Sequence, residues 1–373
     1  MSGDAEERFF RELGRLGPAL LNALDALEWV QRRLHPSELA SLQAALQPAL
    51  GRLADCTPRF EQHAPPEGLA GLHRELSAAV RLVEKALELF AGAGDSFDPQ
   101  AGGVARILAA MQVHCRAQEA LFPLRLALPP LNRYFVEEPF RADLAALDPE
   151  PRDGVVVGLQ RGRDAGEAGR GGFSLYVPES YDDSEAWPLV VALHGGSGQG
   201  RDFLWTWLRE ARGRRFLLLA PTSRGPTWSL NGPDLDATAL AAMVRAVTER
   251  WKVDHESVLL TGLSDGATYA LLAGLQEDMP FTALAPVSGV LHPMNFANGN
   301  LERARGKRIY LVHGARDWMF PVQLARVARD ELDKVGAEIV YRELEDLSHT
   351  YPRDENDEIL GWFDPRLALP QSD

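Results

Sequence analysis

The stretch at residues 257–276, SVLLTGLSDGATYALLAGLQ, changes character around a single serine. Its first part is apolar and β-branched, which predicts a strand, and its last part is rich in alanine and leucine, which predicts a helix. Gly262 and Gly266 bracket Ser264, where side chains would collide with the neighbouring strand and helix. The pattern predicts a sharp strand-to-helix turn that exposes one hydroxyl for nucleophilic attack. The alternative interpretation is a serine that caps the helix.

Strands and helices alternate along the chain on both sides of this turn. The other strand candidates are PLVVALHG (188–195), RFLLLAPT (215–222), TALAPVSG (282–289), RIYLVHG (308–314) and EIVYREL (338–344). Nearly continuous apolar strands between amphipathic helices predict a mostly parallel α/β sheet covered by helices on both faces. Ligands bind such sheets beyond the carboxyl ends of the strands. Residues that directly follow the strands are therefore the candidate functional residues.

A serine hydroxyl needs a base that accepts its proton, and the second half of the chain offers several histidines. His349 follows the last strand and precedes the last predicted helix, at the correct edge of the sheet and after the serine in chain order. His194 and His313 each end a strand before glycine and are interpreted as residues that hold loops. His292 lies in a loop where it can line a pocket, and His255 precedes its strand at the opposite edge. We therefore predict His349 as the base.

An acid and an oxyanion site complete the expected chemistry. Asp317 follows the penultimate strand, where a carboxylate can accept the Nδ1 proton of His349 and stabilise the imidazolium. The alternative for Asp317 is a helix cap before Pro321. The segment ALHGGSGQG follows the first long parallel strand, and its glycines let backbone N–H groups point into the site. The predicted oxyanion donors are the amides of Gly196 and Asp265.

Four motifs in this order resemble one protein family. They are HGG (194–196), GLSDG (262–266), HGARDWMFPV (313–322) and LSHTYP (347–352). The chain from about residue 154 to residue 368 is similar to α/β-hydrolases of the carboxylesterase, phospholipase/carboxylesterase and dienelactone hydrolase group. The resemblance implies an α/β-hydrolase fold, no cofactor, and a Ser264, Asp317 and His349 triad that cleaves carboxylic esters through an acyl-enzyme. It also places one oxyanion amide on Gly196.

Apolar residues near the strand ends are candidates for a substrate pocket. They are Trp228, Trp318, Met319 and Leu263, and ordinary core packing is the alternative interpretation for Trp228, Trp318 and Met319. The expected partner is a small-molecule ester, and the same triad would also serve a thioesterase, a serine peptidase or a polyester depolymerase. Asp265 stands where many relatives carry an apolar residue or glutamine, and its carboxylate would disfavour anionic groups near the oxyanion.

The first third of the chain has a different pattern. Apolar residues at intervals of three and four, such as Leu76, Val80, Val83 and Leu87, predict amphipathic helices that pack as a bundle. The predicted domains are a helical bundle over 1–127, a linker over 128–153 and the hydrolase domain over 154–373. The bundle can cap the site, form a homodimer or bind another protein. The last option makes the chain an interaction protein with the hydrolase domain as its platform.

Composition narrows the classes of partner. A net charge of −14, spread along the chain, argues against a general nucleic-acid or anionic-membrane surface. No apolar run reaches the roughly 20 residues that span a bilayer. The two cysteines and the scattered histidines form no metal-binding pattern, so no metal is expected. The acidic start lacks the features of a secretory signal, which predicts a cytoplasmic protein.

Overall fold

The computed structural model describes residues 3–94, 102–150, 152–162 and 170–370. Its contacts divide the chain into two compact units, Met1–Phe135 and Val136–Asp373. The first unit is helical and the second is built around a β-sheet.

The first unit consists of amphipathic helices. They are α1 (Gly3–Arg32), α2 (Leu39–Glu61), α3 (Ala70–Ala91), α4 (Gly103–Leu121) and α5 (Pro129–Tyr134). Helix α1 packs on α2, α2 on α3, and α3 on α4. The predicted stripe of α3, which includes Leu76, Val80, Val83 and Leu87, is buried between its neighbours. The prediction of an N-terminal helical bundle is confirmed. No helix in the described ranges is long and apolar enough to cross a membrane.

The predicted linker over 128–153 contains the point at which the contacts divide the chain into two units. The hydroxyl of Tyr134 donates to Glu28 Oε1 at 2.6 Å, which ties α5 to α1 in the first unit. Glu137 accepts a hydrogen bond from the buried Arg214 of the second unit at 2.8 Å. A buried guanidinium needs a paired carboxylate, so this contact holds the chain beyond residue 135 against the second unit. The segment predicted as a linker over 128–153 is therefore shared between the two units.

In the second unit, the described residues form an eight-stranded sheet. Its strands are β1 (Gly158–Gly162), β2 (Phe173–Val177), β3 (Trp187–Leu193), β4 (Leu217–Pro221), β5 (Val253–Leu263), β6 (Ala283–Val287), β7 (Arg308–Gly314) and β8 (Glu338–Leu344). Their order in the sheet is β1, β2, β4, β3, β5, β6, β7, β8. β2 pairs antiparallel with β1 and β4, and the pairs from β4 to β8 are parallel.

Helices precede, connect and follow the strands of this sheet. They are α6 (Leu144–Leu147), α7 (Gly200–Phe203), α8 (Leu208–Arg214), α9 (Ala237–Arg250), α10 (Asp265–Gly274), α11 (Met294–Ala297), α12 (Val322–Lys334) and α13 (Asn356–Phe363). Every residue of the central strand β3 is buried, as expected for an apolar parallel strand covered on both faces. The predicted fold class, an α/β-hydrolase fold preceded by a helical bundle, is confirmed.

The register of the parallel strands brings their carboxyl ends to one edge. Leu193 of β3 pairs with Gly262 of β5, and Leu263 of β5 pairs with Val287 of β6. At the β8 end of the strand order, β7 and β8 stay paired up to their last residues. The loops that follow β3, β5, β7 and β8 therefore share one edge of the sheet, where such folds bind ligands.

Candidate active site

Ser264 lies in a strained turn between β5 and α10. Its backbone has φ 57° and ψ −118°, and its amide donates to Val287 O at 3.0 Å. A Cβ on Gly262 would lie 2.7 Å from the Gly266 carbonyl, and a Cβ on Gly266 would lie 2.4 Å from His194 O. Both contacts are with backbone atoms that cannot rotate away. The two glycines are therefore required for the close crossing of β5, α10 and the end of β3.

We expect Gly266→Ala to lower the free energy of unfolding by about 1–3 kcal/mol, because the added methyl forces the backbone at the end of β3 to move. Gly361→Ala in α13 is the matched control, since its added Cβ would meet Ala368 at an ordinary 3.8 Å. The control should keep or raise stability, as helical glycine-to-alanine changes do. Chemical denaturation, monitored by tryptophan fluorescence, measures the free energy of unfolding of both variants. Equal stabilities would contradict the packing argument.

The structure brings Ser264, His349 and Asp317 into one hydrogen-bonded chain. His349 Nε2 lies 2.9 Å from Ser264 Oγ, and His349 Nδ1 lies 2.8 Å from Asp317 Oδ2. A carboxylate can only accept, so Nδ1 carries the proton and Nε2 is left to accept from the serine hydroxyl. The Asp317 side chain is 0% exposed and that of His349 is 9% exposed. The arrangement can withdraw the serine proton in a largely water-excluded site.

Asp317 is held by the turn that follows β7. Its Oδ1 accepts from the amides of Met319 at 2.9 Å and Phe320 at 2.8 Å, which leaves Oδ2 for His349. His313 Nε2 donates to Phe320 O at 2.8 Å, and the Phe320 ring meets the His349 ring edge-on at 5.2 Å. Burial lowers the pKa of His313, which keeps this histidine neutral. His313 therefore holds the acid-bearing turn, as the sequence predicted.

His194 holds the glycine-rich loop that follows β3. Its Nε2 accepts from the Ser223 amide at 3.1 Å, so its Nδ1 carries the proton and donates to Gly195 O at 2.7 Å. The loop is tied further by the Ser197 amide, which donates to Pro226 O at 2.9 Å. Burial lowers the pKa of His194 to about 4. The neutral imidazole is thus a fixed structural link between two loops, as predicted.

This link makes stability depend on pH. The pKa of His194 is about 4 in the folded protein, below its ordinary value of 6.5. The contribution of the neutral imidazole to the free energy of unfolding is therefore complete above about pH 6.5 and is lost as the pH falls toward 4. Between pH 7 and pH 5 we expect the unfolding free energy to fall by about 1–2 kcal/mol through this group. His194→Gln should reduce this pH slope, and His255→Gln, at an exposed histidine, should not. Identical slopes in both variants would refute the assignment.

The predicted oxyanion amides lie on this loop and at the start of α10. Neither the Gly196 nor the Asp265 amide is assigned an acceptor among the residues that the structure describes. A Cβ on Gly195 would lie 3.6 Å from Ser264 Cβ, so the loop borders the nucleophile. The Asp265 amide is the first of a helix, where unpaired N–H groups favour negative charge. The amides of Gly196 and Asp265 therefore stay the predicted oxyanion donors.

Of the two interpretations of Trp228, the structure supports core packing. Its side chain is buried, with the residue only 3% exposed, instead of lining an open pocket. The indole Nε1 donates to His194 O at 2.8 Å, and the ring stacks on Tyr269 at 5.3 Å. An indole buried in this way needs a partner for its N–H, and the His194 carbonyl supplies it. Trp228 therefore holds the start of the glycine-rich loop that follows β3, through the carbonyl of His194.

The other predicted pocket residues lie nearer the surface. Trp318 and Met319 follow Asp317 and are 43% and 48% exposed. Leu263 precedes the nucleophile and is half-buried, with its Cδ2 3.9 Å from the position of a Cβ on Gly195. These three residues can contact a ligand at the edge of the sheet that carries Ser264.

Sequence reasoning missed two residues that shape the site. Thr227 donates through its hydroxyl to Asp265 Oδ2 at 2.6 Å. Asp236 accepts from the amides of Arg224 and Ser229, both at 2.9 Å, and so fixes the loop that carries Thr227. Neither residue stands in a recognisable motif, although Asp236 is a buried carboxylate, which always needs donors. In the described part of the chain, no three His, Cys, Asp or Glu side chains are grouped to hold a metal ion.

Part of the second unit is similar to a known protein family. Residues 234–362 fit the sequence model of the phospholipase/carboxylesterase family. The matched range contains Ser264, Asp317 and His349 and begins after the loop of Gly196. The match therefore covers the three hydrogen-bonded side chains and not the helical unit.

Individual relatives are similar over parts of their length. The chain is 25% identical to a probable feruloyl esterase C of Aspergillus terreus over 159 residues, 40% of this chain and 56% of the relative. It is 34% identical to an oxidized polyvinyl alcohol hydrolase of Sphingopyxis over 93 residues, 25% of this chain and 24% of the relative. A solved thermostable esterase covers 50% of this chain and 54% of its own, with 24% identity and a TM-score of 0.43.

The chain thus spans between about a quarter and just over half of the length of these two curated relatives. The order and direction of the eight described strands, the turn at Ser264 and the family match all concern the second unit. The second unit therefore has a mostly parallel α/β sheet with a strand-to-helix turn at Ser264, and residues 234–362 of it are similar to the phospholipase/carboxylesterase family.

Proposed function

We propose that this protein is a serine hydrolase that cleaves carboxylic esters through an acyl-enzyme intermediate. The observation that carries the proposal is the continuous hydrogen-bonded chain from Asp317 through His349 to Ser264 Oγ. A serine hydroxyl with a base at 2.9 Å, and a buried acid that fixes the base, is the arrangement that nucleophilic acyl transfer requires.

In the first half-reaction, Ser264 Oγ attacks the ester carbonyl while His349 Nε2 takes the hydroxyl proton. The new C–O bond gives a tetrahedral intermediate whose negative oxygen is bound by the amides of Gly196 and Asp265. Asp317 stabilises the imidazolium through Nδ1. His349 then gives the proton to the leaving alkoxide, the ester C–O bond breaks, and the alcohol departs from the acylated serine.

In the second half-reaction, water attacks the acyl-serine carbonyl and gives its proton to His349. The same two amides bind the oxyanion again. When this intermediate collapses, the bond to Ser264 Oγ breaks and His349 returns the proton to the serine. The carboxylic acid leaves and the free enzyme is restored. The full cycle therefore consumes one ester and one water molecule.

The substrate class is a small-molecule ester. The two curated relatives are named as a probable feruloyl esterase C and an oxidized polyvinyl alcohol hydrolase, which supports hydrolysis as the reaction. The exposed Trp318 and Met319 give an apolar surface directly after the acid. Such a surface supports contact with an apolar acyl or aromatic group.

The test of this proposal is a substrate panel with the full chain. We expect p-nitrophenyl acetate and butyrate to be hydrolysed with multiple turnovers, because acylation and deacylation use the same residues. A matched thioester and a peptide p-nitroanilide separate esterase activity from the thioesterase and peptidase alternatives. Faster turnover of the thioester or the anilide would replace the proposed substrate class. Failure of folded protein to turn over any of them would overturn the proposal.

A further inference from the structure

The carboxylate of Asp265 lies beside the proposed oxyanion site without a countercharge. Its Oδ2 accepts from Thr227 Oγ1 at 2.6 Å and lies 2.8 Å from the position of a Cβ on Gly196. It makes no ion pair with a Lys, Arg or His side chain in the described ranges. One hydroxyl donor occupies one oxygen of a group that can accept about four hydrogen bonds. The negative charge of Asp265 therefore remains available to act on a ligand.

A cation close to the same loop is engaged elsewhere. Arg170 Nη2 donates to Gly198 O at 2.8 Å and to Ser223 Oγ at 3.0 Å, and neither contact involves Asp265. The nearby acid Asp236 is occupied by backbone donors and adds negative charge to the loop after β4. Both acceptors of Arg170 are neutral, so Arg170 keeps its positive charge, and the nearby carboxylate of Asp236 opposes that charge. Asp265 forms no ion pair in the described ranges, so its negative charge has no paired cation at this loop.

From this geometry we propose that Asp265 selects substrates by charge. The site takes esters with neutral acyl groups and disfavours esters whose acyl chain carries a carboxylate near the scissile bond. This inference rests on the proposed esterase function, because the Asp265 amide binds the substrate oxygen in that reaction. The acyl chain of the bound ester then lies next to the residue whose side chain carries this negative charge. Two like charges about 7–10 Å apart, at an effective dielectric constant of about 20, reduce binding roughly 10- to 50-fold.

Charge selection can be separated from a scaffolding role of the same residue. The bond from Thr227 also ties the loop after β4 to the start of α10. Asp265→Asn keeps the side-chain volume and an oxygen that accepts from Thr227, and it removes the charge. Thr227→Val removes the hydrogen bond and keeps the charge. The two variants therefore separate the effect of the carboxylate's charge from that of its contact.

The experiment compares two esters that differ in one terminal group, p-nitrophenyl valerate and mono-p-nitrophenyl glutarate, with the uncatalysed rates subtracted. The readout is the ratio of kcat/KM for valerate to kcat/KM for glutarate. Effects of a substitution on the oxyanion itself are common to both esters and cancel in this ratio. We expect Asp265→Asn to lower the ratio roughly 10- to 50-fold and Thr227→Val to leave it close to that of the unmodified protein. Added salt should lower the ratio of the unmodified protein and not that of Asp265→Asn.

An unchanged ratio in Asp265→Asn, with both esters hydrolysed, overturns charge selection and leaves the esterase proposal intact. An equal fall in the ratio for Asp265→Asn and Thr227→Val also overturns it, because the contact and not the charge would then decide selectivity. If the folded, unmodified protein hydrolyses neither ester, the esterase proposal itself fails, and charge selection fails with it.

Discussion

Ser264→Ala is expected to lower kcat for p-nitrophenyl acetate by a factor on the order of 10⁴–10⁶. The reason is that Ser264 Oγ is the atom that forms the covalent bond in the proposed reaction, and His349 Nε2 at 2.9 Å is positioned to take its proton. KM should change little, because the amides of Gly196 and Asp265 remain. Steady-state kinetics, with an unfolding curve to show that the variant is folded, measures the effect.

Ser288→Ala is the matched control for this prediction. Ser288 is also a buried serine with positive φ, 53°, and it directly follows β6 beside the strand of Ser264. Its Oγ has no hydrogen-bond partner among the described residues, so no base is positioned to activate it. Activity should survive in Ser288→Ala. A rate that stays high in Ser264→Ala, or that falls equally in both variants, would remove Ser264 from the proposed role.

Asp317→Asn is expected to lower kcat by about 10³–10⁴ with little change in KM. Asp317 Oδ1 accepts from the amides of Met319 and Phe320, so the asparagine oxygen stays at that position and its NH₂ faces His349 Nδ1. His349 must then carry its proton on Nε2, where it can no longer accept from Ser264. The geometry is preserved and the tautomer is wrong. Kinetics of the folded variant tests this.

Asp346→Asn controls for the removal of a negative charge near the base. Asp346 is exposed and lies in the same loop as His349. Its substitution should leave kcat close to that of the unmodified protein. If Asp317→Asn retained full activity, or if Asp346→Asn lost as much, the carboxylate of Asp317 would not be the residue that fixes the tautomer of His349.

Much of the hydrolase domain follows from patterns that are local in the sequence. The change from strand to helix around Ser264 and the alternation of strands and helices predict the mostly parallel sheet. They do so because the spacing of apolar residues along the sequence indicates which side chains are buried. The positions of Asp317 and His349 directly after strands predict that they meet Ser264, because parallel strands end at one edge. The structure joins these three side chains by hydrogen bonds of 2.8 and 2.9 Å. Their catalytic roles stay a prediction.

Other features depend on contacts between segments that are distant in the sequence. Trp228 follows a strand in a loop, which suggested a pocket, but its indole reaches a carbonyl 34 residues away. The contact of Thr227 with Asp265 joins two loops with no common pattern. The segment 128–153 is predicted as a linker because it is rich in proline and charge. Its Glu137 instead pairs with the buried Arg214, and no periodicity reports such a pairing.

The central claim is that Ser264 forms a covalent intermediate, and labelling with diethyl p-nitrophenyl phosphate tests it most directly. Attack by Ser264 Oγ on phosphorus would release one p-nitrophenolate per chain and leave a diethylphosphoryl group that does not turn over rapidly. Intact-protein and peptide mass spectrometry then locate the adduct. We predict one adduct, on Ser264, with loss of esterase activity in proportion to labelling and no adduct in Ser264→Ala. An active protein that stays unlabelled, or an adduct on another residue that accompanies inactivation, would contradict the claim.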